Sequence, residues 1–152
     1  MNRIAGCALL LTILVVSPLV TAAETTADDA ARQAAAAFLK AIGARNLDDA
    51  MKVSDAPFIT DEQKILASRD AVRDYLKAML AGASPDDMAN AVLAVVPYEK
   101  SREATDAKVL KLRDQVLKSG DRLVGIGRNK MARGFLLVRV RGSSAAVVGI
   151  GL

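Results

Sequence analysis

The spacing of apolar residues changes from helical to strand-like along this chain. Between residues 30 and 42 the apolar residues recur three and four apart, which is typical of one buried helix face, and Gly43 follows as a helix stop. In the last third, residues 122–126, 134–141 and 144–150 are rich in β-branched and apolar side chains and are divided by turn residues. The sequence therefore predicts an α+β domain in which N-terminal helices pack on an antiparallel sheet.

Shorter signals predict the elements between these two regions. Asn46 and Ser68 are residue types that cap helices, so we expect a short second helix after Asn46 and a third helix from Ser68 to Gly82. Pro57 favours an extended segment over residues 55–61.

Three further segments complete the prediction. A serine, a proline and two aspartates at residues 84–87 are typical of a helix start. Residues 91–96 are apolar throughout, a pattern that fits either a buried strand or a buried helix. An apolar stripe over residues 102–118 predicts one long helix before the final strands.

The first 23 residues have the pattern of a secretory signal peptide. Arg3 precedes an apolar run over residues 4–16, Pro18 ends that run, and small residues lead to Ala23. We therefore expect residues 1–23 to be removed and residues 24–152 to form a single exported domain without a membrane span. The alternative is an uncleaved anchor, because residues 4–23 are about long enough to cross a bilayer.

The chain contains one cysteine, Cys7, and no histidine. Because Cys7 lies in the predicted leader, the mature domain has neither residue type. This excludes zinc sites built on cysteine or histidine, Ser-His-Asp triads and cysteine nucleophiles. We expect no metal, no cofactor and no disulfide.

Charge is distributed unevenly along the chain. Residues 24–100 carry a net charge of −4, whereas residues 101–152 carry +7. Five basic residues near the C-terminus form a candidate basic surface: Arg128, Lys130, Arg133, Arg139 and Arg141. Such a surface could bind anionic envelope components. It lacks interleaved aromatic residues, so we expect no nucleic-acid binding.

Three short stretches, residues 45–51, 57–61 and 68–73, resemble the SnoaL-like and DUF4440-like branch of the NTF2-like superfamily. The resemblance implies a cone of N-terminal helices packed on a curved antiparallel sheet, with a pocket between them, and often a homodimer. The superfamily includes dehydratases, isomerases and cyclases. This chain departs from their catalytic patterns because it has no histidine, and its expected 102–118 helix could cover the pocket.

Four aromatic residues are candidates for lining that pocket: Phe38, Phe58, Tyr75 and Tyr98. Asp55 lies where the resemblance places the pocket mouth, so Asp55 and Tyr75 are the candidate catalytic pair. The predicted function is an exported, non-catalytic binding domain for a small apolar ligand or a protein partner. The alternatives are a cofactor-free lyase or isomerase that uses a pocket carboxylate and a tyrosine, and the basic-surface module.

Overall fold

The computed structural model describes residues 19–84 and 90–151, and it shows an α+β fold. Most of the predicted leader and nearly all of the expected helix start at residues 84–87 lie outside the described residues. The helices are α1 (Leu19–Gly43), α2 (Leu47–Lys52), α3 (Arg69–Gly82), α4 (Tyr98–Ser101) and α5 (Ala107–Arg113). The strands are β1 (Ser54–Ile59), β2 (Ile65–Leu66), β3 (Ala91–Pro97), β4 (Arg122–Arg128), β5 (Met131–Arg141) and β6 (Ser144–Gly151).

Six strands form one curved, unclosed mixed sheet with the order β2-β1-β6-β5-β4-β3. Strands β4, β5 and β6 are the predicted antiparallel meander. Strand β1 runs parallel to β6 and carries β2 as an antiparallel edge strand. Residues 91–96, whose apolar pattern fitted either a buried strand or a buried helix, lie in the edge strand β3.

Local capping signals begin the two helices that the sequence predicts after Asn46 and Ser68. The Asn46 side-chain oxygen accepts a hydrogen bond from the Asp49 backbone N–H at 3.1 Å, and α2 begins at Leu47, directly after Asn46. The Ser68 hydroxyl oxygen accepts from the Ala71 N–H at 3.2 Å at the start of α3. Both side chains satisfy backbone donors that have no partner within the helix.

The prediction of one helix over residues 102–118 is wrong. The chain instead forms the single turn α4, a 3₁₀ turn, and α5, which ends at Arg113. Asp106 causes the break, because its carboxylate accepts the Lys108 N–H at 2.9 Å and caps a new helix there. Side-chain capping competes with continuation of the preceding helix.

Each face of the sheet has its own hydrophobic core. Leu136 and Val138 of β5 pack with α1, α2 and α3 on the helix-covered face. Leu137 packs on the opposite face with Tyr98, Leu117 and other residues of the 98–118 segment. Side chains therefore alternate between the two faces along β5, as the two-residue period of a strand requires. The 98–118 segment therefore covers the face opposite the helices, whereas the sequence led us to expect it over a pocket on the helix side.

Candidate functional site

A cavity of about 230 Å³ lies between α5 and the sheet face opposite the helices. Strand β5, the ends of β1 and β6, and α5 supply its walls. Six large apolar side chains line it: Ile59, Val109, Leu112, Phe135, Leu137 and Ile150. Three polar residues from the end of β1 and the turn after it, Thr60, Asp61 and Gln63, also line it. We call this space the α5 cavity.

Arg113, the last residue of α5, is the cationic residue of the α5 cavity. Its guanidinium carbon lies 4.6 Å from the centroid of the Phe135 ring, which is close enough for a cation–π contact. The side chain is partly buried, and this burial lowers the pKa of the guanidinium. Its one hydrogen bond among the described residues is a long contact of 3.4 Å from Nη1 to the Thr105 hydroxyl.

Tyr75 contacts the rim of the α5 cavity through Asp61. The Tyr75 hydroxyl donates a hydrogen bond to Asp61 Oδ1 at 2.8 Å, while the Tyr75 ring packs 5.9 Å from the Phe58 ring on the helix side. Burial, and then the hydrogen bond to Asp61, raise the pKa of Tyr75. The Tyr75 hydroxyl therefore already has a hydrogen-bond acceptor, the Asp61 carboxylate.

Tyr98 is the first residue of the 98–118 segment, which covers the α5 cavity. Its ring is fully buried, and its hydroxyl donates to Asp114 Oδ1 at 2.7 Å. Arg102 pairs with the same carboxylate and lies 5.5 Å from the Tyr98 ring centroid. Burial, and then Asp114, raise the pKa of Tyr98 to about 12. Arg102, and then Tyr98, lower the pKa of Asp114.

Asp55 lies in an arginine cluster at the far end of the same sheet face. Its Oδ2 lies 3.3 Å from Arg139 Nη1 and 3.5 Å from Arg141 Nη2, and its Oδ1 lies 3.8 Å from Arg69 Nη1. Arg139 also donates to the backbone oxygens of Ala56 and Val116, at 3.2 Å each. Asp55 and Tyr75 therefore have different hydrogen-bonding partners.

Phe38 and Phe58 are 1% and 0% exposed and belong to the core between the helices and the sheet. Side chains from α1, α3, β4 and β6 pack around them in this core. A ligand-binding role for these two rings stays a prediction.

The five residues of the candidate basic surface lie in two groups. Arg128, Lys130 and Arg133 lie near the turn between β4 and β5. Arg139 and Arg141 lie near the other end of β5, beside Asp55. At about 3.3 Å per strand residue, Arg133 and Arg139 are roughly 20 Å apart.

Sequence reasoning missed Arg113 because it placed this residue in the middle of a long helix. The α5 cavity depends on the end of α5 at Arg113 and on the position of this helix over Phe135. The available signal was the position of Arg113 directly beside Leu112, a member of the apolar stripe.

Within residues 19–84 and 90–151, no group of three or more acidic side chains is placed to hold a metal ion. No helix in the described part of the chain is long and apolar enough to cross a membrane. No family model matches the sequence, and no curated protein is significantly similar to it.

Proposed function

We propose that the protein is an exported, non-catalytic binding domain that holds a small apolar ligand in the α5 cavity. The observation that carries this proposal is the concave space of about 230 Å³ with six large apolar side chains in its walls. Concave, mainly apolar spaces with a few polar groups are the usual form of small-molecule sites.

The volume of the cavity limits the size of the ligand. Since a water molecule occupies about 30 Å³ in the liquid, the space of about 230 Å³ corresponds to roughly eight water-sized groups. This is below the range of about 300–1,000 Å³ that is typical for drug-sized ligands. A compact ligand with a short apolar chain fits this volume.

The contacts of the candidate catalytic pair favour binding over chemistry. Asp55 is engaged by arginines, and the Tyr75 hydroxyl is engaged by Asp61. A general base and its partner must both reach one reacting group within hydrogen-bond distance. Neither side chain lines the α5 cavity.

We also propose that the chain is a distant member of the NTF2-like superfamily. The order of two helices, two strands, a third helix and a terminal meander supports this proposal. The α5 cavity lies on the opposite face of the sheet from the pocket that the resemblance implies.

The test is an NMR titration of the purified protein with 1-hexanol. We expect chemical-shift changes to concentrate at Val109, Leu112 and Leu137. Val109→Phe places a larger side chain in the cavity wall and should weaken hexanol binding by about tenfold or more. The matched control is Val96→Phe, the same change at an exposed position of β3, which should bind like the unsubstituted protein.

The proposal fails if the shifts map to the helix-side core, around Phe38 and Phe58. It also fails if Val109→Phe, with its fold confirmed by the same spectra, binds hexanol as well as Val96→Phe does.

A further inference from the structure

We infer that the natural ligand of the α5 cavity is a short-chain carboxylic acid whose carboxylate pairs with Arg113. This inference rests on the proposed function and adds the chemical class of the ligand. It depends on three features of Arg113: its missing counterion, its unused donors and its apolar surroundings.

The first feature is the absence of a counterion. Arg69, Arg102, Arg122 and Arg139 each have a carboxylate oxygen within 4 Å. Arg113 has none among residues 19–84 and 90–151, although it is partly buried. A desolvated charge without a partner destabilises a protein, and an anion bound beside it would offset that cost.

The second feature is the set of unused donors. A guanidinium has five N–H donors, and the described residues supply one acceptor, the Thr105 hydroxyl at 3.4 Å. The Phe135 ring contacts the guanidinium with its centroid 4.6 Å from the central carbon. This contact restrains the side chain, and the remaining donors suit a carboxylate, which accepts two parallel N–H groups.

The third feature is the set of apolar side chains that line the cavity together with Arg113. Val109, Leu112 and Leu137 line the same cavity and can contact an aliphatic chain. Asp61 also lines it and would repel an acid group. We therefore place the ligand carboxylate at the Arg113 end of the cavity and its apolar chain against α5 and β5.

The test compares hexanoate with hexanamide, which has nearly the same shape and no charge. We expect the unsubstituted protein to bind hexanoate about 10- to 100-fold more tightly, because hydrogen bonds to charged groups contribute about 1.5–3 kcal/mol and 1.4 kcal/mol is tenfold. Calorimetry gives both affinities, and NMR shifts at Val109 and Leu137 locate both ligands.

Variants assign the preference to Arg113. Arg113→Met should remove the preference for hexanoate and leave hexanamide binding within about threefold, since the apolar walls remain. Arg113→Lys keeps the charge and should retain part of the preference. Lys111→Met is the matched control, because it removes an exposed charge from the same helix and should change neither affinity.

Each outcome separates this inference from the proposed function. Equal binding of hexanoate and hexanamide by the unsubstituted protein overturns the inference that the ligand is an acid. It does not contradict the proposal that the α5 cavity binds a small apolar ligand. Failure of hexanoate, hexanamide and 1-hexanol to bind overturns both proposals. An unchanged preference in a folded Arg113→Met protein overturns the role of Arg113. If that variant does not fold, the comparison of the two ligands in the unsubstituted protein and in Arg113→Lys decides the inference.

Discussion

Arg122 is a buried charged residue that joins the first helix to the terminal meander. Its side chain is 5% exposed, and its Nε donates a hydrogen bond to Asp28 Oδ1 at 2.6 Å. Its Nη1 donates to the Gly120 backbone oxygen at 2.6 Å. Removing one partner of a buried pair leaves an uncompensated charge, which costs more than the pair itself contributes.

Asp28→Ala should therefore lower the free energy of unfolding by about 2 kcal/mol, less than for a fully buried pair because Asp28 is partly exposed to water. Urea denaturation measures the change. Asp28→Asn keeps a hydrogen-bond acceptor for Arg122, so it should lose less stability than Asp28→Ala. The control is Asp29→Ala, at an exposed neighbouring position. Equal stability of the Asp28→Ala and Asp29→Ala proteins would show that the Arg122 pair contributes nothing.

Gly127 in β4 is required by a close approach of the neighbouring strand. A Cβ atom at this position would lie 1.9 Å from the Met131 backbone oxygen, at the register shift between β4 and β5. The obstructing atom belongs to the backbone, so the two strands would have to separate. The sequence showed a glycine near a turn but could not show which atom approaches it.

We expect Gly127→Ala to destabilise the fold by about 2 kcal/mol or more, as overpacking typically does. Thermal unfolding is the measurement. Gly82→Ala serves as the control, because nothing lies within 4 Å of a Cβ built at this helical glycine. There alanine should be neutral or slightly stabilising. Similar losses in both variants would contradict the packing argument.

At the scale of elements, the short helix α4 and the segment after it depend on Tyr98. The ring is buried, and the hydroxyl donates to Asp114, which also pairs with Arg102. These contacts join the start of the segment to the residue that follows α5. Local capping by Asp106 divides the segment, and the Tyr98 contacts hold the two parts together.

Tyrosine ionisation tests this arrangement, because the chain has two tyrosines and no tryptophan. Burial and the bond to Asp114 raise the pKa of Tyr98 to about 12, against about 10 in an unfolded chain. Between these two pH values the folded state holds more protons than the unfolded state, so its stability should fall as the pH rises. Ultraviolet titration in native buffer and in denaturant measures both midpoints.

The control for this titration is Tyr98→Phe, in which Tyr75 titrates alone. This variant should also lose about 1 kcal/mol of stability with the hydroxyl–carboxylate hydrogen bond. Ionisation of both tyrosines near pH 10 in the native protein, at the ordinary tyrosine value, would contradict the buried position of Tyr98.

At the scale of the whole molecule, all of the described core side chains lie after the predicted leader. From residue 24 onward, where side chains are described, the first buried residue of α1 is Ala30. Helix α1 itself begins at Leu19, earlier than the apolar spacing from residue 30 indicates, because no helix-breaking residue separates the two stretches. Loss of residues 1–23 therefore removes none of the described core side chains.

We expect the protein to be exported and its mature form to begin at Ala23 or Glu24, since cleavage after Ala22 or Ala23 satisfies the small-residue pattern. Mass spectrometry of protein from the envelope of an expressing bacterium determines its N-terminus. Leu10→Arg, which places a charge in the apolar run, should prevent cleavage and export. An intact Met1 on membrane-bound protein would instead support the anchor alternative.

The elements that sequence analysis predicted are those with local causes. The apolar spacing of α1 and the caps Asn46 and Ser68 depend on residues within a few positions of one another. The alternation along β5 likewise follows from the two-residue period of a strand. Each of these features lies within one segment, so no knowledge of the fold is needed to find it.

The tertiary structure alone decided which distant segments meet. It paired β1 with β6, placed the 98–118 segment on the second face of the sheet, and joined Asp55 to Arg139 across 84 positions. It also placed Arg113 over Phe135 and so created the α5 cavity. Residue patterns determine which surfaces are apolar, but which of these surfaces bury each other depends on the path of the whole chain.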